Sequence, residues 1–362
     1  MIWAIFFYFS NLYYTGNTEI RNFFIISFVL VIFVIWLRTK NEKRMDTEKD
    51  KKIFFIWVIF VLTVIITNLI NKENFMNSIL LGTIIPYFFI YKTQQYKLIN
   101  KIILKAILLS SILVLLNILG FLNPFSLYLV MKSNSAGFFM LFFSVYIFYR
   151  FYHSDIYMPL VLFNLLIIIM TSSRTALICF CLTTVIVLII KIIDTNFKNA
   201  LFRSYFYLSI FIVAGLLMVL NKDKITGLEV INKVVYYSSS GNVFNGRDSI
   251  WAFILDNINL TGHNINSLYN VFSLSPHSNF LGILYTNGLV AFILFSLLNI
   301  LMLIKSLRNI KNDRDSIFYF IIVTVFILSS VTEYYYNIMG ISIVYLWYIC
   351  LGNIMFKKGV KE

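Results

Sequence analysis

Apolar runs of membrane-spanning length, separated by short polar breaks, make up most of this chain. A helix needs about 20 apolar residues to cross the hydrocarbon core, with about 17 as a practical lower end. On that measure the runs at 1–15, 22–37, 53–70, 75–91, 102–122, 136–152, 157–173, 175–193, 204–220, 277–304, 317–332 and 338–356 predict twelve spans. The pairs at 53–91 and 157–193 read as tight hairpins. The N-terminal MIWAIFFYFSNLYY has no basic leader and no small-residue cleavage site, and is expected to stay as a short first span. One connection differs from the rest. Residues 221–276 form a long loop between spans nine and ten, and long loops in compact proteins are commonly functional. Its apolar helical patterns, GLEVINKVVYY (227–237) and RDSIWAFILDN (247–257), predict that it folds over one face.

Composition agrees with the pattern. Apolar residues are 60% of the chain and charged residues 13%, where a soluble domain carries about 25% charged. A soluble fold cannot hide this much apolar surface. The fold class expected is an all-α polytopic membrane protein, with 1–362 as a single integral membrane domain and 221–276 as a loop or lid within it.

Charge sets the direction of the spans. The net charge of +14 sits mainly in short segments such as RTKNEKRMDTEKDKK (38–52) and KSLRNIKNDRDS (305–316). Basic residues in short loops mark the cytoplasmic side, which accounts for the charge without nucleic acid. An even span count then places both termini in the cytoplasm and the 221–276 loop outside. Tyr13, Tyr14, Tyr236, Tyr237 and Tyr334 to Tyr336 fall near the outer interface, where amphipathic rings are favoured. The loop itself is neutral, with Lys222, Lys224, Lys233 and Arg247 against Asp223, Glu229, Asp248 and Asp256. The cysteines Cys179, Cys181 and Cys350 lie in apolar runs without metal-type spacing, so neither a disulfide framework nor a metal site is expected.

Three outer positions carry candidate chemistry. TSSRTAL (171–177) places Arg174 at a hairpin turn beside the hydroxyl groups of Thr171, Ser172, Ser173 and Thr175. Arg174 there either snorkels to headgroups or lines a polar pocket. FNGRDSIW (244–251) reads as a helix start, with Asn245 as N-cap and Asp248 three residues on in a capping-box arrangement. Arg247 in that first turn is either a solvated loop residue or a fork for phosphate oxygens. FSLSPHSNFLG (272–282) puts His277 where a polar stretch enters an apolar run, either as an interface residue or as a base. His263, in LTGHNINS, has the same two readings. His153 in YRFYHSD and the DRD at 313–315 fall on the cytoplasmic side and read as solvated.

In order, SSRTAL, NGRxxxW, GHN and PHSxFLxxLxxxGL resemble the O-antigen ligase and O-antigen/capsular polysaccharide polymerase superfamily. Arg174 matches the first element, Arg247 and Trp251 the second, Gly262 and His263 the third. His277, Leu281, Leu284 and Gly288 keep the spacing of the fourth. Ser278 stands where the family tends to have Asn, and Asn264 where it tends to have a second Gly. The resemblance covers mainly 165–304. It implies a metal-independent glycosyltransferase without a cofactor, in the bacterial cytoplasmic membrane, using an undecaprenyl-pyrophosphate-linked oligosaccharide as donor. It implies Arg174, Arg247 and His277 as catalytic residues, with Trp251, His263, Ser278 and Asn279 binding substrate. Membrane lipid, a chain-length regulator and a flippase are the partners such a role calls for.

The chemistry suits the residues. Arginine keeps its charge and grips phosphate with two parallel bonds, and imidazole accepts a proton near neutral pH. Within the family, the length and the Ile-, Asn-, Lys- and Phe-rich composition favour a polymerase of repeat units for O-antigen, capsule or exopolysaccharide. The alternatives are a ligase acting on a lipid A core, protein or wall acceptor, and a lipid-linked oligosaccharide flippase. Transporters tend to show mid-span polar groups, broken helices and repeats; here the polar signal concentrates in one outer loop.

Overall fold

A long Ile- and Val-rich run has only one way to satisfy its backbone away from water, which is to close its hydrogen bonds within the segment as a helix. The computed structural model describes residues 47–49, 51–72, 104–109, 112, 133–170, 173–194, 246–310, 313, 316–334 and 342–358. These form α1 (Lys51–Ile70), α2 (Ser133–His153), α3 (Met158–Met170) and α4 (Arg174–Asp194). There follow α5 (Arg247–Asp256), α6 (Ile265–Phe272), α7 (Asn279–Ile310), α8 (Ile317–Thr332) and α9 (Ser342–Met355). Helices α1, α4 and α7 are long and apolar enough to cross a membrane, and α8 is apolar but shorter. The expected spans at 1–15, 22–37, 75–91 and 204–220, most of 102–122, and loop residues 221–245 lie outside the described residues.

The all-α expectation needs one addition. Strands β1 (Thr47–Lys49) and β2 (Phe356–Lys358) pair antiparallel, with Glu48 opposite Lys357. This ties the basic segment before α1 to the segment after α9, so both lie at one end of the molecule. The same end carries the Lys191–Asp155 ion pair at 2.6 Å and the Tyr152–Asp194 hydrogen bond at 2.8 Å. The last turn of α1, the start of α4, the start of α7 and the end of α8 meet at the opposite end.

Helix α8 is the hub. It touches α2, α4, α7 and α9, and Phe318, Ile321, Ile322, Val323 and Phe326 are fully or almost fully buried. Phe326 stacks on Trp347 of α9 at 5.1 Å, and Phe295 of α7 joins them. Polar side chains inside the helices bond back to their own backbone. Thr183 and Thr184 donate to Cys179 O and Phe180 O at 2.7 and 2.8 Å, and Ser329 donates to Val325 O at 2.7 Å. Such back-bonding leaves few polar groups for lipid to meet.

The apolar run at 277–304 predicts one continuous span, and here the structure differs. Helix α7 breaks at Gly288, whose φ of 82° and ψ of 178° are not helical. Asn287 donates to Thr67 Oγ1 and Asn68 Oδ1, both at 2.9 Å, and Phe60 meets Phe295 at 5.6 Å. The break therefore lies opposite Thr67, within one turn of the end of α1. A break frees backbone groups that need partners. The loop before α6 supplies them: Leu289 N donates to Asn259 O at 2.9 Å, and His263 N donates to Tyr285 O at 2.7 Å. The two chains approach so closely that a Cβ on Gly288 would collide with the Leu260 carbonyl, and one on Gly262 with the Thr286 carbonyl.

Gly288→Ala is expected to cost more than the roughly 1–3 kcal/mol of its glycine-only backbone conformation alone, read as a lower melting temperature of the detergent-solubilised protein. Gly246→Ala, at a φ of 77° with open space around the new methyl, should cost only the backbone part. Equal melting temperatures for the two variants would remove the close approach as the cause.

Candidate functional site

Helix α8 ends at Thr332, and the last four carbonyls of a helix lack intrahelical partners. Those carbonyls also form the negative end of the helix dipole. Around them the three separated sequence elements come together. Arg247 Nη1 donates to Thr332 O at 2.6 Å, and Arg247 Nη2 forms an ion pair with Glu333 at 3.2 Å. Thr175, next to Arg174, donates to the same Glu333 oxygen at 3.5 Å. Ser278 Oγ donates to Ser330 O at 3.2 Å, and Asn279 Nδ2 donates to Ser330 Oγ at 2.9 Å.

Arg247 and Arg174 share an unusual placement. Each is the first residue of its helix, α5 and α4, where a cation opposes the positive end of the dipole. Arg247 offsets that penalty at the carbonyl end of α8 and on Glu333. The N-cap differs from the sequence expectation. Gly246 in a left-handed conformation precedes α5 with no side-chain cap, and Asn245 lies outside the described residues. The capping-box reading of Asp248 is therefore corrected: Asp248 is exposed, and Ser249 Oγ donates back to Gly246 O at 2.7 Å. Ahead of Arg174, buried Ser173 accepts from Ala176 N at 3.4 Å and sits against Gly137 of α2, where no Cβ fits.

His277 adopts a φ of 50°, a left-handed conformation that few residues other than glycine take. Both flanks hold it there. On one side the Trp251 indole donates to Pro276 O at 3.0 Å. On the other, Ser278 caps α7, accepting from Leu281 N at 3.3 Å while it donates to Ser330 O. Tyr334 lies across Gly282, the one residue there small enough to admit its ring. Among the described residues the His277 imidazole has no hydrogen-bond partner, and it is half-buried.

The candidates thus separate by surroundings. Arg247 and Thr175, the residue after Arg174, converge on Glu333, and Trp251 and Ser278 hold the turn that presents His277. Ser278 and Asn279 are buried, and their polar groups bond to α8, which makes them positioning residues of that turn. His263 stands apart, in the turn at the α7 break. Its Nε2 lies 2.7 Å from Asn257 O and 3.1 Å from Asn259 Nδ2, and its ring lies against Tyr285 at 5.0 Å. Glu333 is absent from the sequence reading, although a signal exists: it is the only charged residue between 316 and 356.

A double-mutant cycle on Arg247→Ala and Glu333→Ala should show a coupling of about 1–3 kcal/mol in stability, the range for hydrogen bonds to charged groups. Additive losses in thermal unfolding would mean that the pair does not hold α5 to α8.

No protein-family model matches this chain, and no curated protein matches it.

Proposed function

We propose that this chain is an integral membrane glycosyltransferase that joins lipid-pyrophosphate-linked oligosaccharide repeats on the extracytoplasmic face of the bacterial cytoplasmic membrane. The observation that carries the reading is the convergence of SSRTAL, NGRxxxW and PHS on the last turn of α8. Contacts between residues 52 to 158 positions apart in sequence bring them there, through Thr175–Glu333, Arg247–Glu333 and Ser278–Ser330. A solvated loop arginine and an interface histidine give no reason for that meeting.

The step is a displacement at the anomeric carbon of the donor. The acceptor hydroxyl oxygen forms the new bond, the bond from that carbon to the pyrophosphate oxygen breaks, and the lipid pyrophosphate leaves with the electron pair. His277 takes the hydroxyl proton, for which its unpartnered imidazole is suited. Arg247 and Arg174 receive the charge that develops on the leaving group. Their positions at helix starts add the positive ends of two helix dipoles. Trp251, Ser278 and Asn279 keep the His277 turn in place, so that the base is positioned before substrate arrives.

Acceptor choice separates polymerase from ligase, and a polymerase is the reading put forward. A transporter draws on one observation, the break at Gly288, since broken helices line transport sites. That break is filled by the Asn259–Gly262 backbone and by Asn71, which argues for a structural role there.

In cells, His277→Ala and Arg247→Ala should each abolish polymer while the protein still accumulates in the membrane. Arg247→Lys should also be damaging, because a point charge does not reproduce the guanidinium fork. Wild-type glycan chain lengths in the two alanine variants would overturn the proposal. Gene loss should leave single-repeat glycans; full-length polymer stranded on carrier lipid would indicate a ligase, and repeats retained on the inner leaflet a flippase.

A further inference from the structure

The turn between α5 and α6 exposes two large apolar side chains over a backbone that is bonded in part to neighbouring protein. Leu260 is 65% exposed and Ile258 43% exposed. Behind them several polar groups bond to protein. Asn257 O meets His263 Nε2, Asn259 O accepts from Leu289 N, and Thr261 O accepts from Asn71 Nδ2 at 2.9 Å. Gly262 N and O bond to the Asn259 side chain, and His263 N donates to Tyr285 O.

Position agrees. The turn fills the break opposite Thr67, less than a turn from the end of α1, so it lies level with the end of a membrane-length helix. Its outward side continues the exposed apolar surface of Leu69 and Ile70 on α1 and Val290 and Ile293 on α7. Residues 257–304 contain no Asp, Glu, Lys or Arg. The uncharged character of span ten therefore extends back through the turn, well before the helix begins. Asn257 and Thr261 are exposed polar residues at the turn's two ends, and Asn266 and Asn270 are exposed on α6.

We infer that residues 257–262 are a membrane-seated turn, with Ile258 and Leu260 among lipid acyl chains at the extracytoplasmic edge of the bilayer. The 221–276 loop is then partly embedded, and its α5–α6 segment is anchored at the lipid surface beside the Arg247 site. The inference rests on the chain being a membrane protein and does not depend on the reaction proposed above.

The test is nitroxide depth measurement on full-length protein in phosphatidylcholine–phosphatidylglycerol nanodiscs. Cys181→Ser removes the exposed native thiol; Cys179 and Cys350 are buried. Labels at Leu260→Cys and Ile258→Cys should collide with oxygen in preference to a water-soluble nickel chelate, with the same sign and similar size as a label at Ile293→Cys in α7. A label at Asn266→Cys should show the opposite preference. Nickel access at 258 and 260 like that at 266 overturns the inference, as does exclusion of both reagents, which would mean that protein covers the turn. A water-like reading at 293 as well would overturn the membrane reading itself, separating the two failures. Two labelled sites guard against one of them perturbing the fold.

Discussion

The site depends on the unpaired carbonyls at the end of α8. A helix that stops inside a protein leaves acceptors needing donors, and in this chain the donors come from three distant segments. Ser278 bonds to Ser330 O, Arg247 to Thr332 O, and Glu333, directly after the helix, extends the same negative region to Arg247 and Thr175. Burial of α8 among α2, α4, α7 and α9 fixes where those carbonyls lie. The apolar core thus sets the position of the polar cluster, and the helix end determines which side chains it gathers.

The break at Gly288 obeys the same rule of satisfaction. There the donors and acceptors are Asn71, Asn259 and Asn287, with two glycines allowing the backbones to touch. The two features stand at either end of the short half of α7, residues 279–287, and hold it from both sides. A half-helix secured this way is a firm mount for the His277 turn at its start. His277 itself stays in a left-handed conformation because Trp251 and Ser330 fix its neighbours.

Much of this was legible in the sequence for a physical reason: lipid-length apolar runs have few alternatives to helix. The seven expected spans with described counterparts fall on α1–α4 and α7–α9, and RDSIWAFILDN falls on α5. Where sequence reading failed, the deciding interaction was non-local. The run FLGILYTNGLVAFILF is apolar on both sides of Gly288, so hydropathy carries no trace of the break; Asn287–Gly288 is the only local hint. The capping-box reading of Asn245 and Asp248 did not anticipate that Gly246 would take a left-handed turn. Glu333 was hidden in TEYYY because its meaning comes from Arg247, 86 residues away. That Ser278 and Asn279 bond to α8 is likewise hidden in the sequence, because Ser330 lies 52 and 51 residues away.

Glu333 also sets a condition on the proposed chemistry. Arg247 and Glu333 neutralise each other, and two of the five Arg247 N–H donors are already engaged. A pyrophosphate carries more negative charge than Glu333 does, so it competes for the guanidinium. What it gains there is reduced by the bonds it displaces. On the proposed reaction, the Glu333 bond holds the Arg247 fork in place for a dianionic ligand. The carboxylate is then part of the preorganisation: it places the fork in advance, so that ordering the side chain does not have to be accomplished when the donor binds.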